Sequence, residues 1–358
     1  MLEGMSPTGF VDLCEHVLGL CEVKENEAVA VLSQGDLRQD YADGFLAAAE
    51  KIGASTFHLR LPKPSPSGDP EKGWTVGTTP LTGNRQAIEA LKEADIVIDL
   101  IFLLFSKEQH EIQESGTRIL LCMEPIEHLA RMMPTADHRR RVEFSEELLS
   151  KAGEMRITNG AGTDVVYKLG AYPILTQYGY TATPGRWDHW PSGLVATSGA
   201  DHGVDGRVVL DRGDILITPF GKYVDESIEF VIEAGRIQDI RGGVDADLLR
   251  EYIDGFEDER ALALSHIGWG INEKARWSGL QYDGRGIGME SRCFYGNVLF
   301  STGPNQELSG SNDTPCHIDM PMRRCNLYLD DEPIILDGEF VPEELKVDLP
   351  SVFKRATA

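Results

Sequence analysis

The fold of the first part of the chain is decided by EAVAVLS (residues 27–33), STFHLRLP (55–62), DIVIDLIFLL (95–104) and RILLCMEP (118–125), four apolar strand-like runs. Segments with helical spacing of apolar positions accompany them, as in GFVDLCEHVLGL (9–20) and NRQAIEALKEA (84–94). Strands that alternate with helices are typical of a parallel sheet covered on both faces. The sequence therefore predicts a Rossmann-like α/β domain over residues 1–137.

This fold does not imply a bound dinucleotide. The first strand-to-helix turn, SQGDLRQD at residues 33–40, lacks the glycines that let a backbone approach a pyrophosphate. No Walker-type lysine follows, and GAGTD at 160–164 is interpreted as a turn. A Pro/Gly-rich loop is expected at residues 63–83.

The second half has a different character. A charged helix at residues 138–154 is expected to connect the halves, and residues 207–220, 226–243 and 325–341 alternate like β-hairpins. We expect an α+β, largely antiparallel domain over residues 138–358 that carries the chemistry.

Composition excludes several classes of function. A net charge of −24 over 358 residues argues against a nucleic-acid or anionic-membrane surface. The chain has no run of about 18 apolar residues, and its N-terminus does not read as a signal peptide. We therefore expect a cytoplasmic protein. The six cysteines form no CxxC pair and are expected to be buried free thiols.

A candidate metal site lies in the last third of the chain. SHIGWGIN (265–272) carries His266, in a Gly/Trp-rich setting that suits a tight loop, and TPCHIDMP (314–321) carries His317 and Asp319. Residues two apart on a strand point to the same side, so His317 and Asp319 can converge on one ion. Two imidazoles and a carboxylate suit Fe(II), Mn(II) or Zn(II), and the residues alone leave these alternatives open.

Two further segments contain candidate ligand-binding residues. YGYTATPGRWDHWPSG (178–193) is predicted to be an ordered loop, and its aromatic residues and His189 suit either a flat polar ligand or a packed contact. In YGNVLFSTGPN (295–305), Ser301 and Thr302 are placed to donate hydrogen bonds into a pocket.

Several blocks carry a family resemblance. They are LTGN (81–84), GTRILL (116–121), EPIEHLARMMPT (124–135), YGYTATPGRWDHWPSG, SHIGWG, FYGNVLFSTGPN (294–305) and TPCHIDMPMRRCNLYLDD (314–331). In this order the chain resembles the 2,5-dihydroxypyridine 5,6-dioxygenases, ring-cleaving Fe(II) enzymes in the structural superfamily of the aminopeptidase T-like metallopeptidases. The resemblance implies that His266, His317 and Asp319 hold Fe(II), that His189 and Ser301 contact substrate, and that the assembly is a homo-oligomer, a hexamer.

The chain departs from the family pattern at one position. The family has a histidine after the two leucines of its LLHS segment, as the acid/base residue; this chain reads LLFS, with Phe105 there and Leu104 beside it. Leu104, Phe105 and Thr302 would line the substrate site. His110 is a candidate substitute, but in a helix it would be offset from Phe105 by more than a turn.

The predicted function is an Fe(II)-dependent, extradiol-type dioxygenase that takes O2 and a small hydroxylated pyridine and gives N-formylmaleamic acid or an analogue. One alternative is a dinuclear metallo-aminopeptidase, which needs further bridging carboxylates. Another is a binding protein that has kept the fold without the chemistry. Metal content separates the three.

Overall fold

The computed structural model describes residues 7–62, 75–282 and 286–348, so the first part of the predicted loop at 63–83 lies outside the described residues. The helices are α1 (Pro7–Leu20), α2 (Gln39–Ile52), α3 (Arg85–Lys92), α4 (Lys107–Glu114), α5 (Ile126–Arg131), α6 (Ala136–Lys151), α7 (Val244–Asp254), α8 (Gly279–Tyr282) and α9 (Met289–Arg292), with 3-10 turns at Glu259–Leu262, Gln306–Leu308 and Glu343–Leu345. The strands are β1 (Ala28–Gln34), β2 (Ser55–Leu61), β3 (Ile96–Asp99), β4 (Arg118–Leu121), β5 (Glu154–Asn159), β6 (Asp164–Lys168), β7 (Leu175–Gln177), β8 (Trp187–His189), β9 (Leu194–Thr197), β10 (Val204–Leu210), β11 (Ile215–Leu216), β12 (Lys222–Tyr223), β13 (Ile228–Glu233), β14 (Arg236–Gly242), β15 (Leu264–Gly270), β16 (Val298–Thr302), β17 (Ile318–Met322), β18 (Cys325–Leu329), β19 (Glu332–Leu336) and β20 (Glu339–Phe340).

The first of two compact units holds the described residues 7–62 together with Val76–Pro134 and Gln177–Ser192. Its five-stranded sheet has the order β2-β1-β3-β4-β8, and every neighbouring pair is parallel. All residues of β3 and β4 are buried, as a sheet covered on both faces requires. The prediction of a parallel, Rossmann-like α/β domain is confirmed.

The segment predicted to be an ordered loop at residues 178–193 contains the fifth strand of this sheet. Ile119 pairs with Trp187 and Leu121 with His189, so β8 extends the parallel sheet beyond β4. Only three residues pair, too few for a period-two pattern to be visible among the aromatic residues. The second unit begins at Thr135, and residues 177–192 belong to the first unit.

The second unit holds Thr135–Thr176 and the described residues from Gly193 onward. An eight-stranded sheet has the order β14-β13-β10-β6-β5-β18-β19-β20, a five-stranded sheet has the order β17-β16-β15-β9-β7, and β11 pairs with β12. All pairs with a defined register are antiparallel. The predicted α+β, largely antiparallel class is confirmed.

The predicted hairpins have mixed outcomes. The hairpins at residues 226–243 and 325–341 form as β13–β14 and β18–β19. Residues 207–220 do not pair with each other, because β10 pairs with β6 and β13 while β11 pairs with β12.

The structure also describes the cysteines and the lengths of the helices, on which two further predictions depend. All six cysteines are buried free thiols, as expected from their spacing. Among the described helices, none combines the length and the apolar character that crossing a membrane requires.

Candidate metal centre and active site

The sheet β17-β16-β15 positions the cluster of His266, His317 and Asp319. Leu264 pairs with Thr302 and Ile267 with Phe300, so β15 carries one extra residue at Ser265–His266. Such a bulge redirects a side chain and is common beside active sites. The predicted tight loop is instead this bulged, mostly buried strand.

The glycines of IGWG serve strand packing. A Cβ atom on Gly268 would lie 2.0 Å from the carbonyl oxygen of Val195 on β9, and one on Gly270 would lie 2.3 Å from the backbone carbon of Cys293. Both distances are far below van der Waals contact. Only glycine therefore allows the backbone to pass this close on both sides of β15.

The structure brings together the three predicted metal ligands. His266 Nε2 lies 2.9 Å from Asp319 Oδ1, His317 Nε2 lies 3.3 Å from Asp319 Oδ2, and the ring centroids are 5.4 Å apart. Two ligand atoms that each lie about 2.1 Å from one ion, with an angle of about 90° between their bonds to it, are roughly 3 Å apart. Among the described residues, this is the one group of three or more His, Cys, Asp or Glu side chains close enough to share an ion.

The second nitrogen of each histidine fixes its tautomer. His317 Nδ1 lies 3.0 Å from the carbonyl oxygen of Thr302, and His266 Nδ1 lies 2.9 Å from Glu307 Oε1. Carbonyl and carboxylate oxygens only accept, so both Nδ1 atoms carry the proton. In the neutral rings both Nε2 lone pairs then face the Asp319 carboxylate. Electron-rich atoms at this distance need a proton or a cation between them, and a metal ion meets that need.

Charge in the cluster is strongly coupled. Burial raises the pKa of Asp319, but the Arg292 guanidinium, whose Nε donates to Asp319 Oδ2 at 2.6 Å, and the two imidazoles hold that pKa well below its usual range. Burial lowers the pKa of His266, but Asp319 and Glu307 outweigh it and raise the pKa to about 9. Asp319 is therefore an anion at neutral pH, as a metal ligand must be.

Ser301 and Thr302 lie fully buried on β16, next to the ligands. The Ser301 hydroxyl donates to the backbone carbonyl of His266 at 2.7 Å, across the bulge. A hydroxyl has one proton, so Ser301 in this arrangement can only accept from a ligand. The Thr302 hydroxyl makes no hydrogen bond within the described part of the chain.

In the first unit, Leu104 and Phe105 lie on the segment that follows β3. The Asp99 carboxylate accepts the backbone N–H groups of Ile101 at 2.8 Å and Phe102 at 3.0 Å on Oδ1, and that of Leu103 at 2.7 Å on Oδ2. Burial raises the pKa of Asp99 to about 6, although these donors act in the opposite direction.

The backbone of this segment is strained. Phe102 has a φ of 69° and Phe105 a φ of 68°, in the left-handed region that bulky residues rarely adopt. Phe105 is buried. His110 lies within α4, whose first turn is capped by the Ser106 hydroxyl. The segment is thus held in place by Asp99 on one side and by the capped helix on the other.

His189 ends β8 in the same unit and is buried. The fully buried Asp188 accepts the backbone N–H groups of His189 at 2.7 Å, Gly179 at 3.0 Å and Tyr178 at 3.1 Å. Arg186 donates to Asp188 Oδ2 at 2.9 Å and its guanidinium stacks 4.2 Å from the Tyr178 ring centroid. The aromatic segment is therefore folded around one buried carboxylate.

Four residues with roles in this arrangement were not predicted from the sequence: Asp99, Asp188, Arg292 and Glu307. Each acts through hydrogen bonds to a backbone or to another side chain, and such contacts cannot be predicted from the spacing of residues in the sequence. A signal was available only for Asp99, because an acidic residue inside an apolar strand run needs buried partners.

Comparison with known proteins gives matches along nearly the whole chain. The family described as 2,5-dihydroxypyridine 5,6-dioxygenase matches residues 9–342. The 2,5-dihydroxypyridine 5,6-dioxygenase of Pseudomonas putida (strain KT2440) is 44% identical over 346 residues, which cover 95% of this chain and 98% of the relative.

Two solved structures are similar in fold. That of the 2,5-dihydroxypyridine dioxygenase from Pseudomonas putida KT2440 has a TM-score of 0.91 at 43% identity and covers 96% of this chain and 100% of its own. That of AmpT from Thermus thermophilus has a TM-score of 0.65 at 16% identity over 93% and 99% of the two chains, which indicates a shared fold alone.

Proposed function

The chain belongs to the 2,5-dihydroxypyridine 5,6-dioxygenase family, and we propose that it opens the ring of its substrate with Fe(II) held by His266, His317 and Asp319. It is an oxygenase whose substrates are a hydroxypyridine and O2. For 2,5-dihydroxypyridine the proposed product is N-formylmaleamic acid, which contains all the atoms of the substrate and of one O2 molecule.

The observation that carries the proposal is the convergence of two imidazole Nε2 atoms on one carboxylate. Both rings are fixed by acceptors at Nδ1, and Asp319 is kept anionic by Arg292. Two nitrogens and one oxygen on one side of an ion leave its remaining positions to other ligands, the arrangement typical of non-haem Fe(II) oxygenases. Bound there, Fe(II) would supply the joint activation of the hydroxypyridine and O2.

In this proposal the residues of the chain hold the metal, contact the substrate and take up its proton. His266, His317 and Asp319 hold the ion in one geometry, and Ser301 braces the His266 backbone while its lone pairs accept from the substrate. Phe105 has no ionisable group, so it cannot take the proton that the substrate hydroxyl releases.

We assign that proton to the imidazole of His189. By the family resemblance, His189 is also a substrate contact, and Leu104, Phe105 and Thr302 are assigned to substrate binding. His110 is the second candidate for the proton. Loss of the pH dependence of kcat in His189→Gln, but not in His110→Gln, would support the assignment, whereas the reverse result would transfer it to His110.

The proposal is tested by oxygen uptake. Metal-free enzyme, loaded anaerobically with Fe(II), is mixed with a panel of di- and trihydroxypyridines, and oxygen consumption and product mass are recorded. We expect one O2 consumed per ring opened, with 2,5-dihydroxypyridine or a close analogue as the best substrate. Activity with zinc or cobalt alone on peptides would instead support the aminopeptidase alternative.

We further propose a homo-oligomer, a hexamer by family resemblance, that works in the cytoplasm. Light scattering coupled to size-exclusion chromatography measures the mass directly. A mass of one chain would contradict the assembly.

A further inference from the structure

We propose that Glu307 is a positioning residue for the metal: its carboxylate orients His266 and supplies negative charge that strengthens metal binding. This inference rests on the proposed metal site and assigns a role to a residue outside the ligand set. It concerns how tightly and in what geometry the ion is held.

Glu307 contacts a ligand and not the ion. It lies in the 3-10 turn Gln306–Leu308, and its Oε1 accepts the proton of His266 Nδ1 at 2.9 Å. The Glu307 side chain is 5% exposed, so solvent screens this contact little. The Ser265 hydroxyl lies 3.5 Å from the same oxygen, and it donates to the Pro304 carbonyl. The turn is thereby tied to the bulge that carries His266.

The second carboxylate oxygen gives independent support. Glu307 Oε2 is buried and makes no hydrogen bond to any residue that the structure describes. A buried, charged carboxylate oxygen without a donor costs stability, and an apolar side chain would avoid that cost. The presence of a charged carboxylate at Glu307 is explained if its negative charge stabilises a nearby cation. A carboxylate behind a ligating imidazole makes the imidazole a stronger ligand and fixes its ring.

The two histidines differ in this respect. His317 donates to a neutral backbone carbonyl, that of Thr302, whereas His266 donates to an anion. A divalent ion, the two negative charges of Asp319 and Glu307 and the positive charge of Arg292 together give the centre a net charge of +1. A centre of that charge favours a ligand that binds as a monoanion, such as a singly deprotonated hydroxypyridine.

The test uses Co(II) as the probe, because its visible absorption reports coordination geometry and its affinity can be measured by competition with a chromophoric chelator. Glu307→Gln keeps an acceptor for Nδ1 but removes the charge, and Glu307→Ala removes both. We expect Co(II) to bind about 10-fold more weakly to the first and up to about 100-fold more weakly to the second, with an altered absorption band in the second.

Glu273→Gln is the matched control. Glu273 pairs with His138 Nε2 at 2.8 Å in the same unit, a histidine–carboxylate pair of nearly the same length that involves none of the three ligands. We expect this variant to change thermal stability but to leave the Co(II) affinity unchanged. The rise in Tm that saturating Co(II) causes should shrink in the Glu307 variants alone.

The outcomes separate this inference from the function it rests on. If wild-type protein binds no Co(II), the metal site itself is refuted. If wild type binds Co(II) and both Glu307 variants bind it with the wild-type affinity and spectrum, Glu307 has no positioning role. If Glu273→Gln weakens binding as much as Glu307→Gln, the effect is general destabilisation and the inference fails.

Discussion

Replacement of Asp99 by asparagine should make the protein more stable near pH 8 and less active. Asp99 is fully buried, and its carboxylate holds the segment from Ile101 to Phe105 through three backbone N–H groups. Asparagine has nearly the shape of a protonated carboxyl group, with an acceptor at one atom and a donor at the other. The substitution therefore mimics the protonated side chain at every pH.

The magnitude follows from the pKa of Asp99, which burial raises from the ordinary 3.8 to about 6. Because the folded state holds this proton more tightly than the unfolded state, stability falls as the pH rises from about 3.8 to about 6. A shift of roughly two units corresponds to about 3 kcal/mol. Asp99→Asn should therefore unfold with a free energy about 3 kcal/mol higher than wild type near pH 8, and only roughly 1 kcal/mol higher near pH 4.5.

The assay is urea denaturation of both proteins at a series of pH values. Dilute protein is needed at the acid end, since the sequence pI is about 4.7. Activity should fall in the same variant, because a neutral amide holds the backbone N–H groups of this segment less firmly than a carboxylate does, so the position of Phe105 becomes less fixed and KM rises. Parallel stability curves, or a variant less stable than wild type near pH 8, would refute the reasoning.

Three further predictions concern the site. Asp319→Ala leaves the Arg292 guanidinium without its carboxylate and removes the anionic ligand, so bound iron, measured by elemental analysis, and oxygen uptake should both be lost. Full iron occupancy in this variant would contradict the assignment of Asp319 as a metal ligand. Phe105→His should raise turnover of 2,5-dihydroxypyridine by up to about 100-fold and add an ionisation to the pH profile, because the new imidazole can take up the substrate proton. Histidine also tolerates the positive φ better than phenylalanine, and unchanged steady-state rates would show that a histidine at this position takes no part in the proton transfer. Ser301→Ala removes the hydrogen bond that spans the bulge and should lower the free energy of unfolding by about 1 kcal/mol and raise KM, and a variant with wild-type values for both would contradict the role given to Ser301.

Most of the fold could be predicted from local patterns. The buried runs of β3 and β4 have the apolar character of a parallel sheet, and the hairpin β13–β14 has a glycine turn between alternating strands. The strand at Trp187–His189 could not, because three residues give no period and its partner β4 lies far away in the sequence. Tertiary pairing decides such a strand.

The ligand pattern was visible, but its surroundings were not. His317 and Asp319 could be predicted to converge because their spacing on a strand has a fixed geometry. Arg292 and Glu307 contact ligands that are distant in sequence, and their contacts depend on how the bulge at His266 and the turn at Gln306–Leu308 meet. The spacing of residues in the sequence does not predict how the bulge and the turn contact each other.

In the proposed function, one ferrous ion held by His266, His317 and Asp319 supports ring opening. The most direct measurement titrates metal-free enzyme with Fe(II) under anaerobic conditions and follows the initial rate of oxygen uptake on 2,5-dihydroxypyridine. We expect a rate that rises linearly and saturates at about one iron per chain. Saturation at about two metal ions per chain, or full activity without added iron, would contradict it.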